Sequence, residues 1–284
     1  MVQDSSSDVW FITGASRGLG RAFAKAALEA GDRVVATARH VDALADLHAA
    51  YPGRTTVLSL DVRDRSAVFA TVQRAIAAYG RLDVVVNNAG HGLIGAVEEV
   101  TEADARAVCD TNFFGALWVT QAVLPHLRAQ HSGHIVQIST VGGVGTMPMM
   151  GLYNASKWDL EAFSEALARE VDSFGVRVTI AELGGFATDW AWSSMRFAPL
   201  VPEYDELRRS IFGTTQLPWD MSKQAPDPSE GDPADAARAL LEHVKRKTAG
   251  PLRLLVGKDT PDHVRIALER RRDDYQRHGF VWPT

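Results

Sequence analysis

The chain has 284 residues, of which 46% are hydrophobic, and a formal net charge of −5, so it has a globular composition without a basic surplus. We therefore expect no nucleic-acid partner, and no membrane partner either, because no apolar run reaches the length of about 18 residues that a membrane span needs. A single cysteine, Cys109, excludes an intramolecular disulfide, and the short polar N-terminus lacks a signal-peptide pattern, so we expect a cytoplasmic location.

Strand and helix patterns alternate along the chain. Short apolar and β-branched runs predict seven strands, at residues 9–13, 33–37, 55–60, 83–86, 134–139, 176–182 and 252–256. Helical periods predict helices at residues 21–30, 41–50, 66–79, 103–129, 153–173, 235–247 and from 262 onward. Repeated βα units imply right-handed crossovers. The predicted fold is therefore α/β and doubly wound, a Rossmann-type single domain over residues 1–284 with a seven-stranded, mostly parallel sheet.

The alternation stops after the sixth predicted strand. Residues 184–232 are rich in proline and tryptophan, and the segment 203–211 has a helical pattern. A segment of this length is too long for a plain loop in a compact domain, so it predicts a substrate-binding lobe inserted into the single domain. A disordered surface loop is the alternative, but disordered segments are poor in aromatic residues.

A glycine-rich turn joins the first predicted strand to the first helix. Residues 13–20 read TGASRGLG, with the spacing Gly-x-x-x-Gly-x-Gly. Glycines let the backbone approach a pyrophosphate, which then meets free N–H groups at the helix N-terminus. A plain turn is the alternative, but the strand–helix context favours nucleotide binding. The predicted cofactor contacts in this turn are Gly14, Ser16, Arg17, Gly18, Leu19 and Gly20.

The end of the second predicted strand indicates which nucleotide binds. In NAD sites an acidic residue about 20 positions after the turn binds the ribose 2′-hydroxyl. Here the strand ends in Ala38 and Arg39, with no acidic residue. The Arg39 guanidinium can hold a 2′-phosphate with two parallel hydrogen bonds, and Arg17 can add a second positive charge. The predicted cofactor is therefore NADP(H).

Tyr153 and Lys157 stand four residues apart, on one face of a predicted helix. A free phenol has a pKa near 10, but an ammonium about 4 Å away contributes about 4 kcal/mol at an effective dielectric of about 20. That interaction would lower the tyrosine pKa towards neutrality, where general acid–base catalysis works best. Ser139 lies at the carboxyl end of the fifth predicted strand, where parallel sheets bind ligands.

These motifs together resemble those of the short-chain dehydrogenase/reductase family along nearly the whole chain. The matching segments, in family order and spacing, are residues 13–20, Asp61 and Val62, the turn 87–90, Asn112, Ser139, and the pair Tyr153 and Lys157. The resemblance implies reduction of a ketone or aldehyde to an alcohol with NADPH, together with the reverse oxidation. Relatives pair their long helices, so a homodimer or homotetramer is expected.

The resemblance also implies roles for individual residues. Tyr153 would give a proton to the carbonyl oxygen, and Ser139 would donate a hydrogen bond to the same oxygen. Lys157 would lower the tyrosine pKa and hold the nicotinamide ribose, while Asn112 would support a water that passes protons towards Lys157. The further cofactor contacts that it implies are Asp61, Val62, Asn87, Ala89, Gly90, Gly184, Phe186 and Thr188.

The chain departs from the family pattern at one position. Where relatives carry Pro-Gly after the sixth strand, this chain has Leu183 followed by Gly184. Leucine does not fix φ and keeps an N–H group that proline lacks. We therefore expect a looser or differently bent turn beside the nicotinamide.

The substrate pocket is expected between the Ser139–Tyr153 region and the lobe. Methionines form adaptable apolar walls, and aromatic residues open the lobe, so the predicted substrate is an apolar or aromatic carbonyl compound or alcohol. Packing of the lobe onto the body is the alternative explanation for these side chains. The predicted substrate contacts are His91, Met147, Met149, Phe186, Trp190, Trp192 and Met195.

Two other functions stay open at this point: a non-catalytic NADP(H)-binding regulator on the same fold, and a reductase of C=N or C=C bonds. His126, His131 and His134 lack metal-ligand spacing, so they are interpreted as surface histidines and no metal is predicted.

Overall fold

Seven parallel strands form the main sheet of the computed structural model, which describes residues 7–217, 230–246 and 250–277 without the side chains of Ala191 and Trp192. The strands in chain order are β1 (Val9–Ile12), β2 (Arg33–Ala38), β3 (Thr55–Ser59), β4 (Val84–Asn87), β5 (Gly92–Ile94), β6 (Gly133–Thr140), β7 (Val176–Leu183), β8 (Met195–Phe197) and β9 (Arg253–Val256). The order in the main sheet is β3-β2-β1-β4-β6-β7-β9, so the chain reverses direction across the sheet between β1 and β4.

Helices cover both faces of this sheet. They are α1 (Gly18–Glu29), α2 (Ala45–Ala50), α3 (Arg65–Tyr79), α4 (Glu102–Cys109), α5 (Gly115–Gln130), α6 (Gly151–Val171), α7 (Trp190–Ser193), α8 (Asp205–Phe212), α9 (Pro233–Val244) and α10 (Thr260–Arg277). Trp10 and Ile12 of β1 pack in the core cluster of α1 and α9, whereas Val9 and Phe11 pack with α3, α5 and α6. This alternation buries β1 on both faces, and the predicted doubly wound Rossmann-type fold is confirmed.

The long helix predicted at residues 103–129 is divided in two. A π-helical turn, Asp110–Phe114, separates α4 from α5, and it carries the buried Asn112. Such turns insert an extra residue into a helix and occur often at functional sites. The apolar period does not reveal the insertion, because both helices remain amphipathic.

The lobe adds a second, two-stranded sheet that the sequence patterns did not predict. Strand β5 pairs in parallel with β8, and three-residue strands are too short to give a period. The buried Arg208 of α8 forms an ion pair with the buried Glu99, which also accepts a hydrogen bond from the Val201 amide at 2.7 Å. Residues 218–229 of the predicted lobe lie outside the described residues.

Of the three histidines that we interpreted as surface residues, His126, His131 and His134, not all lie on the surface. His134 is buried, so its interpretation as a surface histidine is wrong. Its Nε2 lies 2.8 Å from Thr179 Oγ1, and Nε2 of the buried His243 lies 2.9 Å from the same hydroxyl. One hydroxyl both donates and accepts, so it can join two neutral imidazoles.

None of the described helices is both long and apolar enough to cross a membrane.

We predict that His134 makes the fold sensitive to acid. Burial lowers the pKa of His134 from 6.5 to about 3, so between these values the unfolded chain binds a proton that the folded chain does not. Stability therefore rises with pH across that window, and His134 alone removes about 2 kcal/mol from the free energy of unfolding at pH 5. Urea unfolding at pH 5 and pH 7.5 should show a smaller difference for His134→Asn than for the wild type. The control His131→Asn replaces an exposed residue with positive φ and should keep the wild-type difference.

Candidate active site

A cleft of about 1630 Å³ opens at the carboxyl ends of the parallel strands, beside the switch between β1 and β4. This is where open α/β sheets bind ligands. The predicted site residues that border it are Gly14, Ser16, Arg17, Gly18, Leu19, Gly20, Arg39, Asp61, Val62, Ala89, Gly90, His91, Ser139, Met147, Tyr153, Lys157, Gly184, Phe186, Thr188, Trp190 and Met195. Asn87, Asn112 and Met149 are buried and lie outside that lining. The Trp192 side chain lies outside the described part of the chain.

The glycine-rich turn is held by the turn that follows β4. Thr13 Oγ1 accepts hydrogen bonds from the amides of Asn88 and Ala89, each at 3.0 Å, and Asn88 Nδ2 donates to the carbonyls of Thr13 and Gly14. Gly14 has φ +66°, and a β-carbon on Gly20 would collide with Asn88 Nδ2 and with the Gly14 carbonyl oxygen. These contacts require glycine at both positions. Asn88 is a site residue that the sequence analysis did not select.

Its neighbour Asn87 was assigned to the cofactor, and that assignment is wrong. Asn87 Nδ2 donates to Gln137 Oε1 at 3.0 Å and to Thr120 Oγ1 at 3.2 Å, inside the protein. Successive residues of a strand point to opposite faces, so only one of two adjacent asparagines can face the cleft. Asn87 ends β4 and points into the core, which leaves Asn88 to brace the glycine-rich turn.

Arg17 contacts the lobe. Its guanidinium donates to the Ser193 carbonyl at 3.0 Å and to Ser194 Oγ at 2.7 Å, and it lies 3.6 Å from the Asp189 carboxylate. In this arrangement it does not add the second charge beside Arg39 that we expected. Thr188 faces the same helix N-terminus, since a β-carbon on Gly18 would lie 3.7 Å from its side chain.

The end of β2 leaves Arg39 exposed at the rim of the cleft. Across the rim, the Arg63 guanidinium lies 2.6 Å from the Asp61 carboxylate, and that hydrogen-bonded ion pair lowers the pKa of Asp61. The positive charge of Arg39 contributes a smaller lowering. The Asp61 carboxylate is thus already paired with Arg63, and within the described ranges Arg39 forms no ion pair of its own.

Asn112 fastens the π-helical turn to the floor of the cleft. Its Oδ1 accepts from the His91 amide at 2.9 Å, and its Nδ2 donates to the His91 carbonyl and to Ser156 Oγ, each at 3.0 Å. A β-carbon on Gly90 would lie 3.1 Å from Asn112 Oδ1 and 3.6 Å from Lys157 Nζ. Gly90 therefore lets the asparagine and the lysine approach the same stretch of backbone.

The pair Tyr153 and Lys157 begins helix α6, and both side chains are buried. Lys157 Nζ donates to the Ile138 carbonyl at 2.8 Å, and burial lowers its pKa to about 8. Burial raises the pKa of Tyr153 well above its usual range, while a hydrogen bond with Thr140 opposes that rise. The expected lowering towards neutrality is thus wrong for this structure, because desolvation outweighs the stabilisation of the phenolate.

Thr140, and not Ser139, partners Tyr153. The Ser139 hydroxyl is buried on the other face of β6, where a β-carbon on Gly143 would meet both Ser139 Oγ, at 2.6 Å, and Glu161 Oε1, at 3.2 Å. Thr140 is the last residue of β6 and its side chain turns towards Tyr153. Strand alternation would have identified it, because Ser139 shares its face with the buried Gln137.

Leu183 does not loosen the end of β7. The strand continues through this residue, which pairs with Thr140 of β6 on one side and with Val256 of β9 on the other. The next amide, that of Gly184, donates to the Val256 carbonyl at 2.9 Å. The expected looser turn is wrong, because the sheet keeps this residue in an extended conformation.

An aromatic side chain of the lobe packs on the tyrosine, and a methionine lies beside it over Gly92. The Trp190 ring lies 5.5 Å from the Tyr153 ring, and a β-carbon on Gly92 would collide with Trp190 and with the Met195 sulfur. Met149 was predicted to contact substrate, but it packs in the core cluster beside Ile94, and its φ is +67°. Met147 is exposed at the cleft instead.

His91 borders the cleft as a neutral side chain. Burial lowers its pKa, and its two ring nitrogens each lie 3.2 Å from a backbone carbonyl, those of Gly92 and Ala107. The neutral ring has one N–H group, which donates to one of these two carbonyls, and the ring forms part of the pocket wall.

The cleft fits an extended dinucleotide. The glycines at positions 14, 20 and 90 keep its floor free of β-carbons, and no described side chain caps the N-terminus of α1. Uncapped N–H groups at a helix start bind a pyrophosphate. The residues that would hold the dinucleotide are Ser16, Gly18, Leu19, Arg39, Ala89 and Lys157.

Comparison with known proteins agrees with this geometry. The short chain dehydrogenase family matches residues 8–197. An oxidoreductase of Botryotinia fuckeliana, BOA17, is 40% identical over 92% of this chain and 93% of its own length. The crystal structure of a short-chain dehydrogenase from Streptomyces avermitilis is 40% identical with a TM-score of 0.85, covering 96% of both chains. Other solved structures that match this fold hold NAD in one case and NADP in another.

Proposed function

This chain belongs to the short-chain dehydrogenase family, and from that premise we propose that it reduces a ketone or aldehyde to an alcohol with NADPH. The observation that carries the proposal is the convergence on one cleft of a tyrosine hydroxyl, a buried lysine and a glycine-lined cradle at a helix N-terminus. The same site would oxidise the alcohol in the reverse direction.

In this reaction Tyr153 gives its phenolic proton to the carbonyl oxygen as the oxygen becomes an alkoxide. A bound nicotinamide supplies the hydride, and the protein supplies position and electrostatics. Thr140, whose side chain lies beside the Tyr153 hydroxyl and lowers its pKa, would also contact the carbonyl oxygen and orient it. In the oxidation direction Tyr153 takes the proton back, so one residue serves as general acid and as general base.

The electrostatics suit the reduction direction. Burial raises the pKa of Tyr153, so the phenol keeps its proton until the carbonyl oxygen takes it. Lys157, whose pKa is lowered to about 8, is still mainly an ammonium at pH 7 and adds positive charge next to the cradle. That charge stabilises the phenolate left after proton transfer.

Arg39 supports NADP(H) as the cofactor. It lies exposed at the end of β2, where an acidic residue would repel a 2′-phosphate, and Ala38 and His40 on either side bring no acid. The coenzymes held by structures of the same fold do not decide the choice, so the preference depends on this residue.

The pocket favours an apolar or aromatic substrate. Trp190 packs on Tyr153 from the lobe, and Met147, Met150 and Met195 border the cleft. A mainly apolar wall with a few convergent polar groups is typical of sites for small organic molecules. The single-domain organisation, the homodimer or homotetramer and the cytoplasmic location stay predictions of the sequence.

The proposal predicts NADPH consumption with a panel of apolar ketones and aldehydes. Tyr153→Phe keeps the ring that packs on Trp190 but removes the proton donor, so kcat should fall by about 10² to 10⁴-fold. NADPH binding, measured by its fluorescence, should remain. Turnover by Tyr153→Phe at the wild-type rate would contradict the role of the tyrosine, and a C=C or C=N product would reveal the other reductase chemistry.

The coenzyme preference should depend on Arg39. Removal of one charged partner of a phosphate costs about 1.5 to 3 kcal/mol, so Arg39→Ala should lower kcat/KM for NADPH by about 10 to 100-fold. Its kcat/KM for NADH should change by less than about threefold. A wild-type enzyme that prefers NADH would overturn the assignment of NADP(H).

Thr140 and Ser139 should differ in their effect on turnover. Thr140→Val removes the hydroxyl that meets Tyr153 at nearly constant volume, so kcat should fall by about 10² to 10³-fold, as for the loss of one transition-state hydrogen bond. Thr140→Ser keeps the hydroxyl and should retain most of the wild-type kcat. Ser139→Ala, on the other face of β6, should cost less than about tenfold, and a reversal of this order in kcat would favour Ser139.

A further inference from the structure

A cluster of charged side chains lies one helical turn beyond the active-site lysine, on the same face of α6. Glu161, one turn after Lys157 on α6, and Glu182 of β7 are both buried. Arg253 of β9 reaches both, with its Nε 3.3 Å from Glu161 Oε2 and 3.1 Å from Glu182 Oε1. The proposed reaction uses none of these three residues directly.

Lys157 needs a counter-charge in this position. Its ammonium is buried and donates to the Ile138 carbonyl, and a buried charge is costly unless it is paired. Glu161 lies at i+4 on the same helix, and its negative charge favours the charged form of the lysine. In the described part of the chain, the titratable groups next to the lysine and the glutamate are Tyr153 and Glu165 of α6, Glu182 of β7 and Arg253 of β9.

Side chains from two strands lie against Glu161, although neither of its carboxylate oxygens has a hydrogen-bond partner among the described residues. Ser139 Oγ of β6 and Glu161 Oε1 share the space next to Gly143, where a β-carbon would meet both. Arg253 reaches the other carboxylate oxygen from β9. The Arg253 side chain is 40% exposed, while that of Glu161 is 8% exposed, so the arginine closes the cluster towards solvent.

We propose that Glu161 is a positioning residue for Lys157: its carboxylate keeps the buried Lys157 ammonium protonated, and Arg253 pairs with that carboxylate from β9, next to Glu182. The proposal builds on the proposed function, because a protonated Lys157 is what the tyrosine chemistry requires.

Glu182 weakens the effect of Glu161 on the pKa of Lys157. Burial and then the charge of Glu161 raise the pKa of Glu182 to about 7, and burial raises the pKa of Glu161 as well. Two buried carboxylates this close share a proton near neutral pH, so their titrations are coupled. In Glu182→Gln a neutral amide replaces the second carboxyl group. Glu161 then ionises more fully, and its charge raises the pKa of Lys157.

The experiment measures the pKa of Lys157 in the full chain without coenzyme, by NMR of ¹³C-labelled lysine, with the resonance assigned by its loss in Lys157→Arg. Glu161→Gln should lower this pKa by about one unit or more, the usual size of a nearby opposite charge. Glu182→Gln should raise it. Glu165→Gln is the matched control, because Glu165 also pairs with Arg253, at 3.0 Å, but lies a further turn away and is 42% exposed. It should leave the Lys157 pKa within about 0.3 units.

Turnover gives the second readout. The alkaline limb of the kcat profile should move to lower pH in Glu161→Gln and not in Glu165→Gln, whereas a purely structural role would lower kcat equally at all pH values. An unchanged Lys157 pKa in Glu161→Gln, or an equal change in Glu165→Gln, would overturn the proposal. If Glu161→Gln does not fold, Glu182→Gln decides, and an absent or downward shift overturns it. A shifted Lys157 pKa in a chain without carbonyl reductase activity would refute the proposed function alone.

Discussion

The buried ammonium of Lys157 is the constraint on which the rest of the active site depends. Its Nζ donates to the Ile138 carbonyl at the end of β6, and it lies close to the backbone of Gly90. To reach both, the lysine needs a helix that starts directly over the strand ends, and it needs a residue without a β-carbon in the turn after β4. The π-helical turn that carries Asn112 then brings a polar side chain to the same place.

This arrangement is costly to the fold, and the surrounding residues offset the cost. Burial of a lysine, a tyrosine and two glutamates near one strand end disfavours their charged forms, as the directions of their pKa shifts show. The ion pairs with Arg253 and the hydrogen bond to a backbone carbonyl reduce the free-energy cost of burying these charges. The pKa values of Lys157, Glu161 and Glu182 move towards neutrality, whereas that of Tyr153 moves away from it, and such shifts are typical of sites that move protons.

The sequence predicted the fold well because its signals are periodic and repeated. Seven β-branched runs separated by helical periods leave little choice but a parallel sheet, and the glycine-rich turn after β1 marks its ligand-binding edge. The site was predicted less completely where a decision depended on a single residue. Ser139 and Thr140 both carry a hydroxyl, and Asn87 and Asn88 are the same residue type. Only the direction of each side chain separates them, and that direction follows from where each strand ends.

Features that depend on contacts across the chain were beyond any local pattern. Strands β5 and β8 have three residues each, and they pair only because the lobe folds back over the turn after β4. Arg17 looked like a phosphate ligand because of its place in the glycine-rich turn, yet its guanidinium binds Ser193 and Ser194. The short helix α7 therefore contacts the coenzyme turn through its C-terminal end, while Trp190 at its start packs on Tyr153. One helical turn thus contacts both Tyr153 and the glycine-rich turn.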